Sequence, residues 1–100
     1  MPTKITFIID NPANPDEFEQ AYTAVRAAMD ELPGLQRVES AKVWPKEDGT
    51  ATPAYRTIDL YFDSYEDASA AVAHPAAGTA IGGLIQTGAT FTGLFSDIES

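Results

Sequence analysis

Thr57-Ile58-Asp59-Leu60-Tyr61-Phe62-Asp63-Ser64 is the stretch that decides the fold. Its residues alternate. Ile58, Leu60 and Phe62 fall on one side of an extended chain, and Thr57, Asp59, Tyr61 and Asp63 on the other. Ser64 then ends the strand and offers a hydroxyl to cap a helix, with Asp67 three residues on. Two other stretches punctuate the chain in the same way. Leu32-Pro33-Gly34-Leu35 stops a helix and opens a strand, because Pro33 and Gly34 do not continue a helix. Ala73-His74-Pro75 stops the helix begun at Ser64.

Working outward, Lys4 to Asp10 reads as a strand, with Ile5, Phe7 and Ile9 on one face and Thr6 and Ile8 on the other. A helix follows. Asn14 is its cap, Pro15 its first residue, and Asp16 and Glu17 suit the positive end of its dipole. Phe18, Ala21, Tyr22, Val25, Ala28, Met29 and Leu32 recur at three- and four-residue steps, an apolar stripe that faces a core. Leu35 to Trp44 is the next strand. A polar loop from Pro45 to Pro53 carries the turn signal Asp48-Gly49, and Tyr55 to Asp63 is the third strand. The helix after Ser64 buries Ala68, Ala71 and Val72, small residues that imply close approach to a sheet. Thr79 to Ile85 reads as a further short helical stretch, weakened by its glycines. Ala89 to Ser96 is the last strand, with Phe91 and Phe95 on one face and Thr90, Thr92 and Leu94 on the other.

A chain of 100 residues with 44% apolar residues fits one domain, spanning 1–100, with its own core. There is no cysteine, hence no disulfide framework and no thiol nucleophile. With one histidine, a zinc site is not expected either. The net charge is −9, and the scattered cations form no basic stripe. Acids at 59 and 63 flank Tyr61 where an RNA-binding sheet of this strand order carries basic neighbours, so nucleic acid is excluded as a partner. The glycines at 78, 82, 83 and 88 match no nucleotide-binding loop. No apolar run reaches the roughly 20 residues of a membrane span. No secretory leader is recognisable, so the cytoplasm is the expected location.

The element order β-α-β-β-α-β implies an α+β, ferredoxin-like fold: a four-stranded antiparallel sheet with two helices on one face. The other face, carrying Ile8, Asp59 and Tyr61, is then bare. A second copy packed against it, in a dimeric α+β barrel, is the economical way to cover it. A ligand pocket is expected between sheet and helices or at the mouth of the shared barrel. Glu31-Leu32-Pro33-Gly34-Leu35, Tyr61-Phe62-Asp63-Ser64 and Ala73-His74-Pro75 resemble the EthD-like branch of the dimeric α+β barrel superfamily. The resemblance implies a homodimer and a small aromatic or polyketide-like ligand. It further implies a place in degradation chemistry, as an enzyme or as an accessory to a partner oxygenase; some relatives in the superfamily degrade haem. The sequence departs from that branch in one place. Its His-x-Pro-Leu motif would begin seven residues before Leu32, where this chain has Val25, and Ala27 replaces the proline.

Candidate site residues follow. Asp59, mid-strand, suits a general acid or base if buried, with Tyr61 or Tyr22 as hydrogen-bond donor to a developing oxyanion. The competing reading of Asp59 is a solvated position or an ion pair with Arg37 or Arg56. His74 suits a second acid or base, or an axial haem ligand; the plainer reading is that it caps the carbonyls ending its helix. Tyr22 belongs to the core stripe, and its hydroxyl needs a partner. Trp44 suits either the rim of a pocket or an anchor for the hairpin or dimer. Ile8 and Tyr61 complete the ligand-binding candidates. The acidic stretch through Glu19 reads as solvated surface. Any reaction is expected to be proton transfer without a cofactor.

Overall fold

In the computed structural model, which describes residues 1–99, the element order is β1 (Thr3–Ile9), α1 (Pro15–Met29), β2 (Arg37–Lys42), β3 (Arg56–Phe62), α2 (Tyr65–Val72), α3 (Pro75–Gln86) and β4 (Phe91–Asp97). The four strands form one antiparallel sheet in the order β2-β3-β1-β4. This is the α+β, ferredoxin-like arrangement, with the helices on one face.

The local signals act as their chemistry requires. The Asn14 side chain accepts a hydrogen bond from the Glu17 N–H, and Ser64 from that of Asp67. Each such cap stabilises its helix by about 1 kcal/mol. Gly34 sits at φ +77°, where a side chain would be strained, and so turns the chain from α1 into β2. Leu32 lies beyond the end of α1, yet it is buried and seals the core there.

β1 and β3 alternate strictly between buried and half-buried residues. Ile5, Phe7, Ile9, Ile58, Leu60 and Phe62 meet Phe18, Tyr22, Val25 and Met29 from α1 and Ala68, Ala71, Ala77, Ala80 and Leu84 from α2 and α3. Gly83 of α3 lies against Val25 of α1. A methyl group there would stand 2.7 Å from a Val25 Cγ, so only glycine lets α3 lie this near α1.

The region after Pro75 differs from the expectation. It is a 12-residue helix from Pro75, not a short stretch from Thr79. His74 therefore starts a helix where it was expected to finish one. Its Nδ1 accepts the Ala76 N–H at 3.1 Å, so the imidazole satisfies a free donor of α3; the bond from His74 to the end of α2 comes from its backbone N–H, which donates to the Ala71 carbonyl at 3.0 Å. No single helix among the described residues is long and apolar enough to cross a membrane; α2 and α3 reach that length only together, across a 69° bend.

Candidate functional site

Strand register assigns the face away from the helices. Residues paired across the sheet share a face, which gives three rows: Arg37, Tyr61, Lys4 and Ser96; Glu39, Asp59, Thr6 and Leu94; and Ala41, Thr57, Ile8 and Thr92. Asp59, Tyr61 and Ile8 are thus on one surface. Polar side chains there are linked. Thr6 donates to Asp59 at 2.5 Å, and Lys4 Nζ stands 3.7 Å from the same carboxylate. The Tyr61 hydroxyl donates to Glu39 at 2.6 Å, and the Arg37 guanidinium lies 4.2 Å from the Tyr61 ring centroid. Tyr61 and Glu39 hold the Arg37 pKa above its ordinary value. The partners of Asp59 are therefore Lys4 and Thr6, not Arg37 or Arg56. Its carboxylate lies beside a cation and a hydroxyl, not in an apolar pocket.

A cavity of about 480 Å³ opens at one end of this face, lined by Lys4, Gln36, Arg37, Tyr61, Asp63 and Ile98 among others. Its size falls within the roughly 300–1,000 Å³ of small-molecule sites. The space between sheet and helices is nearly filled. The apolar void beside Met29, Leu60 and Ala80 measures about 20 Å³, room for little more than one water. A larger groove of about 630 Å³ between α1 and α3 is lined by Ala21, Ala24, Gly78, Gly82 and Gln86 with their neighbours, and no titratable group among the described residues lines it.

Tyr22 is on the other side of the sheet, under α1. It shares a hydrogen bond of 2.7 Å with Ser40, and the Arg56 guanidinium lies 4.4 Å from its ring centroid. Arg56, only 7% exposed, donates to Ser40 at 2.8 Å and to both Glu19 oxygens at 2.8 and 3.0 Å. Tyr55 donates to Glu19 at 2.7 Å, and Lys42 approaches it at 3.8 Å. Burial pushes the Glu19 carboxyl up, but the hydrogen bonds from Tyr55 and Arg56 and the charges of Arg56 and Lys42 together hold it below the usual range. Burial, and then Glu19, push the Tyr55 phenol up. Glu19 is thus a clamp from α1 to the sheet, not the solvated surface its sequence suggested. No local signal marks it, since its partner Arg56 is distant in sequence. Arg56, by contrast, is placed on the helix side by its even spacing from Ile58 and Leu60.

The structure does not bring Tyr22 or His74 to Asp59. His74 is exposed at the corner between α2 and α3, on the helix side, and lines none of the three cavities. Trp44, two residues past β2, is 87% exposed and lines none of them either. Val25 is 2% exposed, in the core against Gly83. Lys4 and Thr6 are not among the site candidates of the sequence, and Arg37 enters as the neighbour of Tyr61, not as the ion-pair partner of Asp59 that the sequence allows. For Lys4 and Thr6 the signal was present, as period-two spacing with Ile8.

No family model matches the chain. It is 29% identical over 73 residues, covering 72% of this chain and 70% of the other, to an uncharacterised 11.0 kDa protein of the thcB-thcC intergenic region of Rhodococcus erythropolis. Among solved structures it is similar to an ethyl tert-butyl ether D (EthD) family protein of Bacillus halodurans, with a TM-score of 0.89 at 15% identity over 99% of this chain and 100% of that one. A dimeric ferredoxin-like protein of unknown function from Thermobifida fusca matches with 0.76 at 17%, over 98% and 92%. A variant of SnoaB, a cofactor-independent oxygenase of Streptomyces nogalater, matches with 0.72 at 12%, over 99% and 94%. The chain therefore has the ferredoxin-like fold seen in the EthD family protein.

Proposed function

We propose that this protein is a homodimer that encloses a barrel between its two bare sheet faces and binds a small aromatic molecule at the barrel mouth. The observation that carries the reading is the cavity of about 480 Å³ in which Tyr61 meets Lys4 and Arg37. An aromatic ring suits Tyr61, and a carboxylate or phenolate suits the two cations. The dimeric ferredoxin-like relative and the SnoaB likeness support the assembly and the small-molecule class. Asp59, one row from Tyr61 and Lys4, is the group that would accept a proton if the bound molecule is transformed.

Binding without reaction, as an accessory to a partner oxygenase, is the second reading. Val25 favours it: where resembling proteins carry a histidine, this chain has a buried aliphatic side chain. One experiment addresses both. 1-Naphthoate is titrated into the isotopically labelled protein, with uncharged naphthalene as control. The expected result is shifts of the Lys4, Arg37 and Tyr61 resonances, and binding about two- to fivefold weaker in Lys4→Met, the loss of one exposed charge contact. Shifts confined to the groove between α1 and α3, or equal affinity for both probes, would overturn the site. Asp59→Asn with unchanged affinity and turnover would remove Asp59 from it.

A further inference from the structure

The two free edges of the sheet differ in chemistry. β2 (Arg37–Lys42) carries Arg37, Glu39 and Lys42, charges that discourage another strand from pairing with it. β4 has no charge from Phe91 to Ser96 and neither proline nor lysine. Large apolar side chains stand exposed on both of its faces: Leu94 (46%) on the bare face and Phe95 (44%) on the helix side. Tyr65 (54%) is tilted against Phe95 with ring centroids 5.5 Å apart, and Phe91 meets Phe7 edge-on at 6.1 Å.

The backbone of β4 is equally specific. Asp10 donates to the Thr90 carbonyl at 2.9 Å, and Ile98 to that of Pro2 at 2.8 Å. Bonded pairs in an antiparallel ladder recur at every second residue, so Thr92, Leu94 and Ser96 bond to β1. Phe91, Gly93, Phe95 and Asp97 point their N–H and carbonyl groups away from the sheet, where no other strand of the described residues lies. The Asp97 carboxylate is already engaged, accepting from Thr3 at 2.9 Å.

We infer that β4 pairs antiparallel with β4 of a second copy, about a two-fold axis at Leu94. In this register Leu94 meets the partner's Leu94, and Gly93 lies opposite the partner's Phe95. The outward groups of Gly93 and Phe95 then face each other as a bonded pair. Each Phe95 ring covers the strand glycine of the other chain, beside Phe7 and Phe91. A second copy is the favoured occupant because the strand is complementary to itself about Leu94, each exposed Phe95 meeting the other chain's Gly93, although the chain carries a net charge of −9. The uncharged run Phe91–Ser96 is where two such chains meet with least repulsion. The inference rests on the homodimer part of the proposed function and names one seam of its barrel, which that reading leaves open.

Phe95→Pro tests it, because it removes an N–H that points away from β1, a position where an edge strand tolerates proline. Light scattering should show a dimer for the wild type. For F95P it should show association weakened at least about tenfold, since two symmetry-related hydrogen bonds are lost. Amide exchange of the wild type supplies a second readout. The N–H groups of Phe91, Gly93 and Phe95 should become protected as concentration rises, joining those of Thr92 and Leu94. A wild-type dimer with these amides unprotected, or a dimeric F95P, overturns the β4 seam and leaves the barrel reading standing. A wild-type monomer overturns both. If F95P does not fold, the exchange measurement decides.

Discussion

Replacing Glu19 by glutamine tests whether α1 is held to the sheet by charge. The carboxylate accepts two hydrogen bonds from Arg56 and one from Tyr55. Hydrogen bonds to charged groups contribute about 1.5–3 kcal/mol each, and breaking a fully buried pair costs about 3–5 kcal/mol. The Arg56 side chain is 9% exposed but that of Glu19 is 33% exposed, so water can take up part of the loss at the carboxylate end. The amide of E19Q would keep one acceptor and turn an NH₂ group toward Arg56 or Tyr55. Arg56 would keep its charge in a largely dry site, where its Nε already has no hydrogen-bond partner among the described residues. The expected cost is about 2–3 kcal/mol near neutral pH. Urea unfolding followed by far-ultraviolet circular dichroism measures it. The pH dependence supplies a sign. The carboxyl is held below its ordinary value of 4.5, so the unfolded chain takes up the proton first on acidification. The Glu19 contribution is complete above 4.5 and is lost as pH falls through the lower, folded value. The gap between wild type and E19Q should therefore narrow in acid. A cost below about 0.5 kcal/mol, the range of ordinary surface substitutions, would refute the clamp, as would a gap that does not change with pH.

Neighbouring glycines of α3 should respond oppositely. Gly82→Ala, with nothing within 4 Å of the new methyl, should raise the melting temperature, since alanine is favoured in a helix by about 1 kcal/mol. Gly83→Ala should lower it, because contact with Val25 at 2.7 Å costs about 1–3 kcal/mol and exceeds that gain. His74→Ala should destabilise by about 0.5–2 kcal/mol, and His74→Ser should restore the cap; thermal melts of both check it. An unchanged His74→Ala melt, with loss of ligand affinity, would instead return His74 to the site. Trp44, the sole tryptophan and 87% exposed, should emit like a solvated indole and be freely quenched by acrylamide in the isolated protomer. Blue-shifted emission from dilute, monomeric protein would contradict its position.

Much of the fold was written in local patterns. Asn14, Ser64 and the Pro33-Gly34 step act on neighbours a few residues away, so their effects were readable without tertiary contacts. The alternation in β1 and β3 sorted core from bare face, which placed Asp59, Tyr61 and Ile8 together. The same short-range logic misjudged His74, because a residue between two helices can cap either one. The path of the chain after Pro75 decides which. α3 is longer than its local pattern suggests: its glycines lower its intrinsic helicity, and packing of Ala76, Ala77, Ala80 and Leu84 supplies what propensity lacks.

The sequence by itself determined the element order, the faces of the strands and the absence of a basic stripe or a cysteine. Only the tertiary structure decided which groups meet. Register set Lys4 and Thr6, not an arginine, beside Asp59 and placed Arg37 against Tyr61. It also put a solid sheet between Tyr22 and Asp59, separating two residues that the sequence allowed to cooperate. Periodicity is a property of one segment, whereas a site is a relation between segments. That relation is fixed by strand pairing and by how closely α1 and α3 can approach across Gly83.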